Sequence, residues 1–273
     1  MPFVQARDGT NIFYKDWGSG DPVILIHGWP VNADMWEHQA PALSEQGYRT
    51  IAYDRRGFGR SDQPWSGYDY DTFADDLAAL IDGLGLSKVT LVGFSMGGGE
   101  VARYLSRHGA GKISKAVLVA AVTPFLLQTP DNPTGAPQAV FDGIIVGLKK
   151  DRPAFLAEFG KAFYGVGPLN HAVSSETLAW AQSLAMQASP KATLDCVRAF
   201  SATDFRGDMG AFTVPTLIFH GTKDQTVPID ASGRVTAKLI PSARLIEYDG
   251  APHGLFITEK DRLNADLLGF LRG

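Results

Sequence analysis

Cysteine is almost missing from this 273-residue chain: Cys196 stands alone, so no intrachain disulfide can form. Also lacking is any long basic run. The 25 Lys and Arg are interspersed with 29 Asp and Glu for a net charge of −4, a pattern unsuited to neutralising nucleic-acid phosphates or docking on an anionic membrane. Nucleic acid is therefore not an expected partner. No apolar run is long enough to span a bilayer; the longest, "KAVLVAAVTPFLL", is interrupted by Thr123 and Pro124. The opening "MPFVQARDGTNIFYKDWGSG" has neither the basic n-region nor the apolar h-region of a secretory signal. The expectation is a soluble, cytoplasmic protein with no membrane partner. No pair among the six histidines has metal-ligand spacing, so no metal and no cofactor is expected. Internal repeats are absent, as is low-complexity sequence beyond one short Pro-rich stretch. Self-association as a homo-oligomer is left open.

What is present is an ordinary hydrophobic content of 45%, enough for a sizeable core. The chain starts with two alternating stretches, "FVQAR" and "NIFYKDW", separated by Asp8-Gly9, which predict a β-hairpin. Short β-branched or apolar runs then recur at 22–26, 48–53, 88–92 and 113–121, the signature of strands buried on both faces. Helical patterns separate them. In "DTFADDLAALIDGL", Phe73, Leu77, Leu80 and Ile81 share one face, and Asp71 is the expected N-cap. From about 125 to 212 the rhythm changes to a Pro-rich lead-in, "TPDNPTGAP", and helical patterns in "RPAFLAEFGKAFYG" and "SETLAWAQSLAMQA". Strand signals resume at 214–221 and 243–248. Alternating strand and helix predict an α/β fold with a mostly parallel sheet. Its core would be 1–124 and 213–273, with 125–212 inserted as a helical cap.

The most informative stretch is "LVGFSMGGGE". Gly93-Phe94-Ser95-Met96-Gly97 fits G-x-S-x-G, placed after the strand "KVTLV" and opening the helix "GGGEVARYLSRH". That strand, elbow and helix form the context in which a nucleophilic serine is held on a strained turn. The helix N-terminus would aim free N–H groups at an oxyanion forming beside Ser95, the Met96 amide first among them. Gly93, Gly97 and Gly99 also fit a G-x-x-x-G-x-G dinucleotide loop. Against that, the loop follows about the fifth strand, the first acidic residue after Glu100 is Asp131, and no Tyr-x-x-x-Lys follows.

A serine hydroxyl needs a base, and the base needs a third group to fix its tautomer. His253, in "YDGAPHGLF" between the last strand and last helix, is the base of choice. His27 and His220 each end a strand ahead of a glycine and are read as turn-shaping or hydrogen-bonding residues; His38, His108 and His171 have no evident partner. For the acid, Asp224 falls in the loop after a strand, at the sheet edge where ligand-facing residues emerge. Asp249 is nearer in sequence to His253, but an Asx-turn accounts for it. The resulting order, Ser95, Asp224, His253, is that of α/β-hydrolases. In the loop His27-Gly28-Trp29-Pro30, proline has no N–H, so Trp29 is the expected second oxyanion donor. Asp54 and Arg55 are read as holding a glycine-turned loop rather than as an ion-pair site.

With these residues in place the chain resembles, end to end, bacterial aryl esterases and cofactor-free haloperoxidases, the α/β-hydrolases also called perhydrolases. The resemblance is carried by "HGWP", "YDRRGFGRSDQPW", "DTFADDL", "LVGFSMGGGEVARY", "FYG", "ATLDCVRAF", "VPTLIFHGTKDQTVP" and "APHG". It implies an eight-stranded sheet with a cap, a Ser95–His253–Asp224 triad, and Trp29 and Met96 as oxyanion donors. Small aryl or alkyl esters are the implied substrates, with hydrogen peroxide as an alternative to water. Val122, Leu126, Phe159, Phe163 and Val227 are candidate walls of the acyl pocket. Pro30 is a candidate determinant of peroxide use, because its fixed φ would set the Trp29 carbonyl. Ser95 argues against haloalkane dehalogenases and epoxide hydrolases, whose elbows hold Asp. Lactonase, amidase, carbon–carbon bond hydrolase and non-catalytic binding protein remain as alternatives.

Overall fold

The computed structural model describes residues 2–168 and 170–273. Its strands are β1 (Phe3–Gln5), β2 (Asn11–Trp17), β3 (Pro22–Ile26), β4 (Arg49–Tyr53), β5 (Val89–Phe94), β6 (Ile113–Val119), β7 (Thr216–Gly221) and β8 (Ala243–Tyr248). They form one sheet in the order β1-β2-β4-β3-β5-β6-β7-β8. β1 and β2 form the expected antiparallel hairpin, β2 runs antiparallel to β4, and every later pairing is parallel. The sheet is thus mostly parallel. The helices are α1 (Gln39–Glu45), α2 (Tyr70–Gly83), α3 (Met96–His108), α4 (Gln138–Phe163), α5 (Ser175–Met186), α6 (Pro190–Ala202), α7 (Gly233–Leu239), α8 (Leu255–Thr258) and α9 (Lys260–Arg272).

Continuous apolar runs become central strands because both faces are covered. In β3, Ile24 and Ile26 point into one core with Phe73 and Leu77 of α2 and Val101 and Leu105 of α3. Val23 and Leu25 point into the other, with Leu43 of α1 and Leu263 and Leu267 of α9. Each of these side chains is at most 1% exposed; burying one contributes about 1.5–3 kcal/mol before chain entropy is counted.

α2 starts two residues earlier than the sequence predicts. Asp69, not Asp71, caps it, accepting from the Thr72 amide at 2.9 Å; Asp71 lies in the first turn and pairs with Arg103 of α3. Farther along α2, buried Asp76 receives both arms of Arg56 at 2.6 Å, and Arg56 also reaches Asp8. Asp76→Ala would leave the guanidinium buried with only that partly exposed partner. Breaking such a pair costs about 3–5 kcal/mol. The expected result is a lower denaturant midpoint with an unchanged m-value; an unaltered midpoint would mean that solvent reaches Arg56.

Between β6 and β7 the chain leaves the sheet. α4 is two helical segments joined at Asp151, whose backbone is non-helical (φ −159°, ψ 89°). Asp151 caps the second segment by accepting from Ala154 at 3.0 Å, and Pro153 sits in its first turn, where no N–H is needed. The second segment coincides with the helical pattern that starts at Arg152. The first segment escapes sequence reading because two poor helix formers, Gly143 and Gly147, flank the β-branched run Ile144-Ile145-Val146. Gly147 is there for space: a Cβ would lie 2.4 Å from the Phe155 ring.

Candidate active site

At the end of β5 the chain turns through Ser95 (φ 52°, ψ −116°) directly into α3. Holding a serine there costs on the order of 1–3 kcal/mol, and the surroundings enforce it. The Ser95 amide donates to the Val119 carbonyl at 2.8 Å, while its carbonyl accepts from Gly98 at 3.0 Å and Val122 at 3.2 Å. The flanking glycines admit the crossing: a Cβ on Gly93 would lie 2.4 Å from the Gly97 carbonyl oxygen, and one on Gly97 would lie 2.6 Å from that of Ile26.

Loops after β7 and β8 bring the two partners. His253 Nε2 lies 2.9 Å from Ser95 Oγ, and His253 Nδ1 lies 2.6 Å from Asp224 Oδ2. The other carboxylate oxygen accepts from the Thr226 and Val227 amides at 2.9 and 2.8 Å. Burial alone would raise the Asp224 pKa. The His253 imidazole, hydrogen-bonded to the carboxylate, and the nearby His220 imidazole more than offset it and hold the carboxyl well below the ordinary range. The His253 ring rests against Phe94 and Phe163, with centroids 4.9 and 4.8 Å away.

Asp249 is not brought to His253. It is exposed and accepts from Thr222 Oγ1 at 3.2 Å. The expected Asx-turn does not form either: Thr222 Oγ1 takes the Gly250 amide, and the Ala251 amide donates to the Tyr248 carbonyl. His38 lies beside Glu37 and His108 beside Asp75, away from the serine.

Gly28 backs onto the nucleophile, since a Cβ there would sit 3.0 Å from that of Ser95. The Trp29 and Met96 amides have no intramolecular acceptor among the described residues, so both are free to donate to an incoming oxygen. Above Ser95 lies a cavity of about 360 Å³. Val122, Leu126, Phe159 and Val227 line it along with Trp29. Pro30 and Phe163 lie outside it, lining a separate pocket of about 20 Å³ that shares Phe159 as its wall. Among the described residues no ionisable side chain lines the larger cavity; Thr134, Gln225 and Thr226 are its polar members besides Ser95.

The sequence pattern of the alpha/beta hydrolase fold family matches residues 21–260. The chain belongs to the α/β-hydrolase family. It is 46% identical over 273 residues to a non-heme chloroperoxidase of Kitasatospora aureofaciens, covering 99% of each chain. It is 43% identical to a bifunctional esterase/perhydrolase of Acinetobacter calcoaceticus, covering all of both. Among solved structures, a bromoperoxidase from Bacillus anthracis is 48% identical, with a TM-score of 0.97 over 100% of this chain and 99% of that one.

This α/β-hydrolase has further site residues that sequence reasoning did not single out. Phe141 and Ile144 reach the cavity from the first segment of α4, and Phe200 reaches it from α6. α6 was recoverable in principle, because Ser189 caps the Ala192 amide at 2.9 Å and Pro190 opens the helix, a start signal readable in "SP". His220 touches the site too, with Nε2 at 2.8 Å from the Val227 carbonyl and 3.4 Å from Asp224. Asp54 and Arg55 do not pair with each other: Asp54 holds Arg60 and the Ala33 amide, and Arg55 holds Glu100. Among the described residues no group of three His, Cys, Asp or Glu is placed to hold a metal, and no helix is long and apolar enough to cross a membrane.

Proposed function

We propose that this chain is a serine carboxylester hydrolase for small, uncharged aryl or alkyl esters that also transfers the acyl group to hydrogen peroxide. The observation that carries this reading is the hydrogen-bonded series Ser95, His253, Asp224 beneath an apolar cavity without ionisable walls. His253 takes the Ser95 proton as Oγ attacks the ester carbonyl, and Asp224 stabilises the imidazolium. The Trp29 and Met96 amides receive the oxyanion. The alkoxide or phenoxide leaves with the proton from His253, and an acyl-enzyme remains. Water then yields the acid; hydrogen peroxide yields the peracid. Peracid leaving the site can oxidise halide in solution, which accords with haloperoxidase names among the relatives.

The segment 125–212 is the cap in this scheme, closing the acyl cavity with Phe141, Phe159 and Phe200. A chromogenic short-chain aryl ester, tested beside a lactone and an anilide with and without peroxide, examines the reading. Preferred turnover of the ester is expected; preference for the lactone or anilide would reassign the substrate class.

Pro30 bears on the choice of acceptor, although it lies outside the cavity. Its ring fixes φ and it offers no N–H, so it constrains the Trp29 carbonyl that precedes it. Each tenfold preference for peroxide over water needs about 1.4 kcal/mol of barrier difference, and one hydrogen bond from peroxide to that carbonyl is of a size to supply part of it. Pro30→Leu should lower the ratio of peracid to acid from a single ester at fixed peroxide while esterase turnover largely survives. An unchanged ratio would remove Pro30 from the mechanism.

A further inference from the structure

Behind the Gly28–Trp29 peptide lies a buried polar cluster that takes no part in the steps above. His27, Arg55, Glu100 and Tyr53 are each at most 1% exposed. None lines the cavity. Arg55 Nε donates to Glu100 Oε2 at 2.7 Å, Tyr53 donates to the other Glu100 oxygen, and Arg55 Nη2 donates to the His27 carbonyl at 2.9 Å. Glu100 belongs to α3, the helix that Met96 opens. Arg55, held by its ion pair with Glu100 and bonded to the His27 carbonyl, therefore links the loop after β3 that carries the Trp29 amide to the helix carrying the Met96 amide.

The imidazole of His27 has a determined tautomer. Its Nε2 lies 2.9 Å from the Arg55 amide, which can only donate, so Nε2 carries no proton. Its Nδ1 lies 2.8 Å from the Gly28 carbonyl, which can only accept, so Nδ1 carries the proton. Arg55 Nη1, 3.4 Å from Nδ1, is then a close approach of two donors rather than a bond. Burial first, and the Arg55 charge second, hold the ring well below the ordinary imidazole value and keep it neutral.

The Gly28 carbonyl and the Trp29 N–H belong to one planar peptide. We propose that His27 is a positioning residue: by holding the Gly28 carbonyl on one side of that peptide, it aims the Trp29 N–H on the other side at the oxyanion forming on Ser95. The hydrogen bond to the carbonyl also polarises the peptide and strengthens its N–H as a donor. Rotating the peptide would break this bond and strand a buried carbonyl. The inference rests on the esterase reading, because the oxyanion is that of acyl transfer.

Two neutral replacements separate positioning from mere structure. His27→Asn keeps an N–H at the δ position facing Gly28. His27→Gln places an acceptor at the ε position for the Arg55 amide but loses the δ donor. With a chromogenic ester, His27→Gln should lower kcat about 10- to 100-fold with KM within about twofold, whereas His27→Asn should stay within about fivefold of the unaltered protein. Affinity for an aryl boronic acid, whose tetrahedral adduct on Ser95 carries an oxyanion, should fall in parallel with kcat. Equal kcat and equal boronate affinity for the two variants would overturn the proposal. If the unaltered protein turns over no ester, the esterase reading fails, while boronate affinity still decides the role of His27. Should His27→Gln not fold, the ¹⁵N shifts of the native imidazole decide: an Nδ1–H tautomer supports the proposal and an Nε2–H tautomer overturns it.

Discussion

Ser95→Ala is expected to lower ester turnover by roughly six orders of magnitude, the size of loss seen when a triad nucleophile is removed. It should also abolish labelling by serine-directed phosphonates. The substitution deletes one oxygen, whose only side-chain partner among the described residues is His253 at 2.9 Å. The backbone bonds that hold the elbow, from the Ser95 amide to Val119 and from Gly98 and Val122 to the Ser95 carbonyl, do not involve that oxygen. A Cβ remains at φ 52° in both proteins, so the strain of the turn is unchanged and the fold should be retained. The cavity gains only the space of one hydroxyl, and ligands held by its apolar walls should still bind. Binding without turnover is therefore the expected phenotype. Retained phosphonate labelling would place the nucleophile elsewhere, and turnover unaffected by the substitution would end the covalent mechanism.

The parts of this molecule that could be read in advance are those where local sequence and tertiary role agree. β3 and β5 are β-branched runs covered on both faces, and Gly93 and Gly97 flank the serine because the chains crossing there leave no room for a Cβ. His253 and Asp224 were legible because they sit in loops after strands, beside residues that constrain loop geometry. Boundaries were less legible, since Asp69 and Asp71 are equivalent as candidate caps until the side chain that reaches the Thr72 amide is known. The first segment of α4 was hidden by Gly143 and Gly147, of which Gly147 serves the close packing of Phe155 rather than helix formation. Cavity walls such as Phe200 and Phe141 could not be assigned, because which face of a cap helix looks onto Ser95 is decided by long-range packing. His27 illustrates the same limit: "HG" after a strand marks a turn, but the bond from Nδ1 to the Gly28 carbonyl is a property of the folded backbone.

Asp224→Asn should lower kcat by roughly four orders of magnitude, about 5 kcal/mol of barrier, while Asp249→Asn should leave it within a small factor. The difference follows from what each carboxylate touches. Asp224 Oδ2 is 2.6 Å from His253 Nδ1 and, as a carboxylate, can only accept, so it requires the proton on Nδ1 and leaves Nε2 bare to take the one from Ser95. An asparagine keeping its oxygen toward the Thr226 and Val227 amides, which donate at 2.9 and 2.8 Å, would present its NH2 to His253. The imidazole would then favour the Nε2–H tautomer, which cannot act as the base. The negative charge that stabilises the imidazolium would be lost as well. Asp249 offers neither function, since its recorded partner is the Thr222 hydroxyl at the exposed end of a turn. The measurement is kcat for a chromogenic ester across neutral to alkaline pH, where hydroxide can partly replace the base and the Asp224→Asn defect should shrink. A crippled Asp249→Asn beside a mild Asp224→Asn would transfer the role of the acid to Asp249.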